Sequence, residues 1–294
     1  MNDDRLYRRG LAASIGSALL FAVMAVLLKA VQAHGIDIYK VTLFRFAIGA
    51  VLIASLGLGG FIRLEFRNHR MLLVRGLLGG VAVFLYFLSI YEIGLAKGTV
   101  ISSSSPVFAT IGGILWLGEK SSRRKWLLVA AAFAGIVLIA MGGGGSLAGF
   151  GGWEMLAVAG AITSGAAYVS IKQLSATDSP FAIFLAQCAM GFWLLLLPAN
   201  LQPCAIGWSG GLLLLGVGLV AAIAQLLMTA GYRHLSVATA SQLSLITTVA
   251  NVIVGVVWFR EPVTVTAIAG MAMVLAACAL IVMDDRSTGK PGCT

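Results

Sequence analysis

The chain has 294 residues, of which 60% are hydrophobic and 11% charged, and it carries 20 Lys+Arg, 11 Asp+Glu and 36 Gly. A soluble domain holds about 25% charged residues, so this composition excludes a soluble globule and a disordered chain; without a G-X-Y period it also excludes collagen. The net charge of +9 lies in short clusters between apolar runs, with no basic helix or RNA-binding aromatic motif, and predicts no nucleic-acid partner.

A helix needs about 20 apolar residues to cross a bilayer. Ten such runs follow one another at 11–32, 38–60, 71–92, 95–117, 126–143, 153–174, 180–198, 209–231, 237–259 and 264–283. The first is preceded by Arg8-Arg9, as in a signal peptide, but its apolar core is too long and nine more runs follow, so it is retained as a span. The expected fold is an all-α integral membrane protein of ten transmembrane helices.

Polar residues inside spans are costly and therefore informative. Span one carries Ser14, Ser17, Phe21, Met24 and Leu28 at helical spacing, and Lys29 near its end, where it snorkels. In span two, Arg45 lies about a third of the way in. Snorkelling to the outer surface is the simpler account, and binding of a carboxylate is the sharper one. Span three has Tyr86 at mid-depth and the pair Gly76/Gly80, which fits close helix contact.

Span four holds Ser102-Ser103-Ser104-Ser105-Pro106. Proline lacks an N–H and clashes with the carbonyl four residues back, so Ser102's carbonyl is expected to be freed and Pro106 to act as a hinge. Ser102 and Ser105 are three apart and share a face. The hydroxyls either line a solute pathway or glue neighbouring helices. Span six offers Ser164 and Tyr168, with Lys172 expected to snorkel at its end; span eight has Gln225 and the pair Gly207/Gly211; span nine has Ser244 and Thr247. The candidate substrate-binding set is Ser17, Phe21, Met24, Tyr86, Ser102, Ser105, Ser164, Tyr168, Gln225, Ser244 and Thr247. Hydroxyls beside aromatic faces suit a zwitterion with an apolar side chain.

All eleven acidic residues fall in connections or at span ends. Glu119 and Glu261 sit at turns, where a carboxylate complements a helix N-terminal dipole. No catalytic constellation gathers at one depth, since His34, His69 and His234 lie in or beside connections. The four Cys (Cys188, Cys204, Cys278, Cys293) form no CxxC. Neither an enzyme, a metal site nor a cofactor is expected.

With the N-terminus cytoplasmic, fifteen Lys/Arg fall on the inner side, Arg75 counted among them at a connection's edge, against Lys40, Lys97 and Arg260 outside. The positive-inside rule then places both termini in the cytoplasm. Five of the six Trp lie near span ends, as an interfacial belt requires.

The chain also resembles itself at a displacement of about 142 residues. Trp116-Leu117-Gly118-Glu119 pairs with Trp258-Phe259-Arg260-Glu261, and Leu138-Ile139-Ala140-Met141 with Leu280-Ile281-Val282-Met283. Lys29 pairs with Lys172, Gly49 with Gly191 and Tyr91 with Tyr232. A duplicated five-helix unit follows, 1–145 and 146–294 in one integrated transmembrane domain. Because five is odd, the second copy is inverted, an architecture typical of secondary transporters. That symmetry serves alternating access and argues against a passive channel.

Ser105-Pro106-Val107-Phe108 followed by Trp116-Leu117-Gly118-Glu119 resembles the fourth helix of the EamA branch of the drug/metabolite transporter superfamily. The second copy departs from it, with Arg260 for glycine and Thr247-Thr248 for serine-proline. The resemblance implies a multi-pass carrier of the bacterial inner membrane, functional as a monomer, exporting small metabolites. Amino acids, aromatic and other neutral ones, are the implied substrates; drugs, nucleotide-like or cationic compounds are the alternative. The small multidrug-resistance relatives exchange protons for cations on a membrane-embedded Glu, which spans one and six lack.

Overall fold

The computed structural model describes the backbone of residues 2–93, 98, 101–119, 122–142, 151–201, 206–259 and 264–287. Eleven helices are bounded there: α1 (Asn2–Ala33), α2 (Ile38–Leu58), α3 (His69–Ile93), α4 (Ser105–Leu117), α5 (Arg123–Gly142), α6 (Gly152–Leu174), α7 (Pro180–Leu201), α8 (Trp208–His234), α9 (Val237–Leu243), α10 (Ile246–Phe259) and α11 (Val265–Ser287). No strand occurs among the described residues. Lys97, Lys120, Arg260, Glu261 and Lys290 lie outside them.

Seven helices are long and apolar enough to cross a membrane: α1, α2, α3, α6, α7, α8 and α11. Spans four and nine, each expected as one transmembrane helix, are interrupted; the break in span four falls beside Pro106, the expected hinge, whereas the one in span nine was not expected. Residues 103–104 form a turn before α4, and Ser244–Leu245 form another between α9 and α10. At the first break Pro106 occupies the opening turn of α4, where its missing N–H costs nothing. No proline stands at the second. There the hydroxyls compete for the backbone: Ser244 Oγ donates to the Ser241 carbonyl at 2.6 Å and Ser241 Oγ to the Ala238 carbonyl at 3.1 Å. The backbone tightens to three-residue spacing, with Ser244 N–H on Ser241 O, Leu245 on Gln242 and Thr247 on Ser244.

The principal packing joins the chain before residue 142 to the chain after 151. α1 lies on α8 and α3 on α6; α2 lies on α8 and α7 on α3; α1 meets α10 and α4 meets α6. α2 with α7, α4 with α9 and α5 with α11 close the set. Small residues allow these approaches. A Cβ on Gly80 would stand 3.1 Å from the Gly191 Cα, and one on Gly76 2.6 Å from the Ala186 carbonyl. Gly207 and Gly211 touch nothing within 4 Å, so that pair makes no close contact.

Connections are tied across the same divide. Asp178, 3% exposed, accepts the Arg67 and Asn68 N–H groups at 2.8 and 3.2 Å. Glu119 caps α9 from a distance: both its carboxylate oxygens accept the Val237 N–H, at 3.0 and 3.2 Å. Lys172, half-buried rather than snorkelling, donates Nζ to the Leu235 carbonyl at the end of α8, at 2.9 Å. Trp116, Trp153, Trp193 and Trp208 are exposed on the outer faces, as side chains that meet lipid are.

Candidate functional site

A cavity of about 160 Å³ lies among these helices. An engineered cavity of about 150 Å³ accepts benzene, so the space suits a small organic solute. All eleven residues of the candidate set line it: Ser17, Phe21 and Met24 from α1, Tyr86 from α3, Ser102 and Ser105 at the first break, Ser164 and Tyr168 from α6, Gln225 from α8, and Ser244 and Thr247 at the second break. Pro106 is buried behind this wall.

The breaks face one another across the cavity. Ser103 Oγ and Thr248 Oγ1 are 3.2 Å apart and share a hydrogen bond. Tyr168, Ser105 and Ser244 line the same cavity. The Tyr168 ring stacks on Tyr232, with centroids 5.4 Å apart and planes 26° from parallel. Thr247 Oγ1 donates to the Ala18 carbonyl at 3.0 Å and so binds α10 to α1. Ser14 Oγ and Gln225 Nε2 are buried without a hydrogen-bond partner in the protein.

The strongest charges at the site lie outside the expected set. Arg45 does not snorkel: it is 4% exposed and lines the cavity, its guanidinium 5.5 Å from the ring centres of both Phe46 and Phe87. Such contacts favour a cation over an aromatic face. Arg75 does not belong to the connection either. α3 begins at His69, so Arg75 falls in its second turn, 2% exposed and facing the cavity. Arg75 Nη2 donates to Gln187 Oε1 at 3.0 Å, and Gln187 Nε2 donates onward to the Gly79 carbonyl at 3.2 Å. The guanidinium lies where a Cβ on residue 79 would stand, so a side chain there would displace it.

Both signals were present in the sequence. A charge inside a span marks function before it marks snorkelling. Arg75, Gly79, Ala82 and Tyr86 form a stripe at four-three-four spacing, and all four line the cavity. Gln187 stands 142 residues after Arg45 and shares its inward aspect.

Residues 8–141 match the EamA-like transporter family, and residues 151–283 match it again. The chain belongs to that family. It is a multi-pass membrane transporter and not an enzyme. The pseudopaline exporter of Pseudomonas aeruginosa is 27% identical over 277 residues, 93% of this chain and 95% of that protein. A riboflavin transporter of Vibrio cholerae is 30% identical over 205 residues, 67% of each chain. One crystal structure superposes with a TM-score of 0.77 over 96% of this chain and 99% of its own, at 17% identity, a likeness of fold alone.

Proposed function

We propose that this protein is a secondary transporter that exports small metabolites of amino-acid type from the bacterial cytoplasm. Two inverted five-helix halves, 1–145 and 146–294, alternately open a shared central cavity to either side, and both termini lie in the cytoplasm. The observation that carries this reading is the meeting of two interrupted helices at one cavity whose wall carries their hydroxyls, an arrangement by which transporters free backbone and hydroxyl groups for a solute at mid-membrane. The packing supports the inversion: every principal helix contact of one half has its counterpart with the halves exchanged. A relative that exports pseudopaline supports the direction. Two buried arginines at the cavity speak against cationic drugs as substrates.

Proteoliposomes test this reading with labelled aromatic, aliphatic, hydroxy and acidic amino acids. Chemically unaltered solute should exchange across the membrane. Tyr168→Ala and Ser105→Ala should lower flux several-fold while leaving folded protein. Absence of flux for every amino acid would remove the amino-acid reading, and unchanged kinetics in both variants would return those side chains to packing.

A further inference from the structure

The cavity wall carries two guanidiniums, and among the described lining residues there is no Asp or Glu. Neither arginine is fully satisfied within the protein: Arg45 Nη1 and Arg75 Nε are buried and lack hydrogen-bond partners. Charged side chains within membrane helices are costly and mark substrate paths. A buried cation is costly until an anion pairs with it.

The two cations are held by different devices. Arg45 rests between the Phe46 and Phe87 rings. Arg75 is pinned by Gln187, whose amide spends both ends on Arg75 and Gly79 and brings no charge. Rigid forks of this kind match oxyacid groups. The arginines come from different helices, α2 and α3, and line the same cavity. A solute with one carboxylate answers only one of them, and the ammonium of a neutral amino acid would meet a second cation with no carboxylate beside it.

We propose that Arg45 and Arg75 form a two-point anion receptor, and that the substrate is an organic acid bearing two separated oxyacid groups. An ammonium on the same molecule is tolerated against the Tyr86 and Phe21 faces. This rests on the transport reading and narrows it from amino acids in general to acids with a second anionic group, a carboxylate or a phosphate.

The test is ligand-induced thermal stabilisation of the purified full chain, with succinate, glutarate, adipate, L-glutamate and 3-phosphonopropionate as probes. Glutaramate and L-glutamine serve as half-amides, and inorganic phosphate as a one-centre anion. At least one two-acid probe should half-saturate at a concentration tenfold or more below its half-amide and below inorganic phosphate. R45Q and R75Q should each erase that gap, and R45K should keep part of it. Equal half-saturation by di-acid and half-amide in the wild-type chain would overturn the receptor. So would saturation by inorganic phosphate alone, no saturable shift with any di-acid, or a gap that survives both substitutions. If R75Q does not fold, wild-type selectivity and R45Q decide. Flux in proteoliposomes separates the two readings. A binding gap without flux of any solute refutes transport and leaves the receptor, whereas flux of neutral amino acids without a gap refutes the receptor and leaves transport.

Discussion

Ser103 and Thr248 join the two helix interruptions directly, their hydroxyl oxygens 3.2 Å apart on the cavity wall. One belongs to the turn before α4 and the other to the first turn of α10, so this hydrogen bond is among those that bridge the two segments that match the family separately. An intramolecular hydrogen bond of this kind contributes about 0.5–1.5 kcal/mol, and leaving one buried partner unsatisfied costs more. Ser103→Ala and Thr248→Val should each lower stability by about 1 kcal/mol, and the double variant should lose little beyond either single one. A double-mutant cycle on thermal unfolding in detergent checks this; full additivity would mean that the pair is not coupled.

Two glycines in different helices should respond to substitution with opposite sign. Where α5 crosses α11, a Cβ on Gly135 would stand 2.8 Å from the Gly270 carbonyl oxygen, and one on Gly270 2.5 Å from that of Gly135. Backbone cannot step aside as a side chain can, so Gly135→Val should destabilise by about 1–3 kcal/mol or prevent folding. Gly211, inside α8 with nothing within 4 Å, has room for a methyl group. Gly211→Ala should stabilise by about 0.5–1 kcal/mol. Melting temperatures of the two variants measure both effects.

Glu119 holds the first N–H of a seven-residue helix that its own sequence neighbourhood does not contain. Hydrogen bonds to charged groups contribute about 1.5–3 kcal/mol. Glu119→Ala should cost an amount in that range, and Glu119→Gln less, because the amide keeps an acceptor oxygen. Equal losses in chemical or thermal unfolding would show that the side chain's bulk, not its acceptor, supports α9.

Phe87 lies under Arg45 and against Tyr86, whose ring centre is 6.0 Å away. A cation over a desolvated ring contributes about 0.5–2 kcal/mol. Phe87→Leu should therefore destabilise by roughly that much and loosen Arg45, while Phe87→Tyr should keep most of the wild-type stability. A leucine variant as stable as wild type would leave Arg45 held by Phe46 alone.

The lining of the cavity was legible in the sequence for its uncharged residues and poorly for its charged ones. Ser17, Phe21 and Met24 repeat at helical spacing, and hydroxyls in an apolar run have few places to go, so local pattern located them. Arg45 was read toward the membrane surface because a long side chain can reach it; packing against Phe46 and Phe87 directs it inward instead. Arg75 was counted at a connection's edge because the four apolar residues before it, Met71–Val74, do not show where a helix begins. The break at Ser244–Leu245 carries no proline and so left no mark, whereas Pro106 announced its counterpart.

Composition and the 3.6-residue period determined by themselves that the chain is helical and membrane-embedded, because each depends only on local hydrophobicity and on satisfying the backbone where water is absent. The internal likeness at about 142 residues is likewise a property of the sequence alone. Only the tertiary structure decided which face of each helix turns inward, that two helices break where they meet, and that two arginines share one cavity. Those outcomes depend on contacts between residues more than a hundred positions apart, such as Arg75 with Gln187, and no local pattern encodes such a contact.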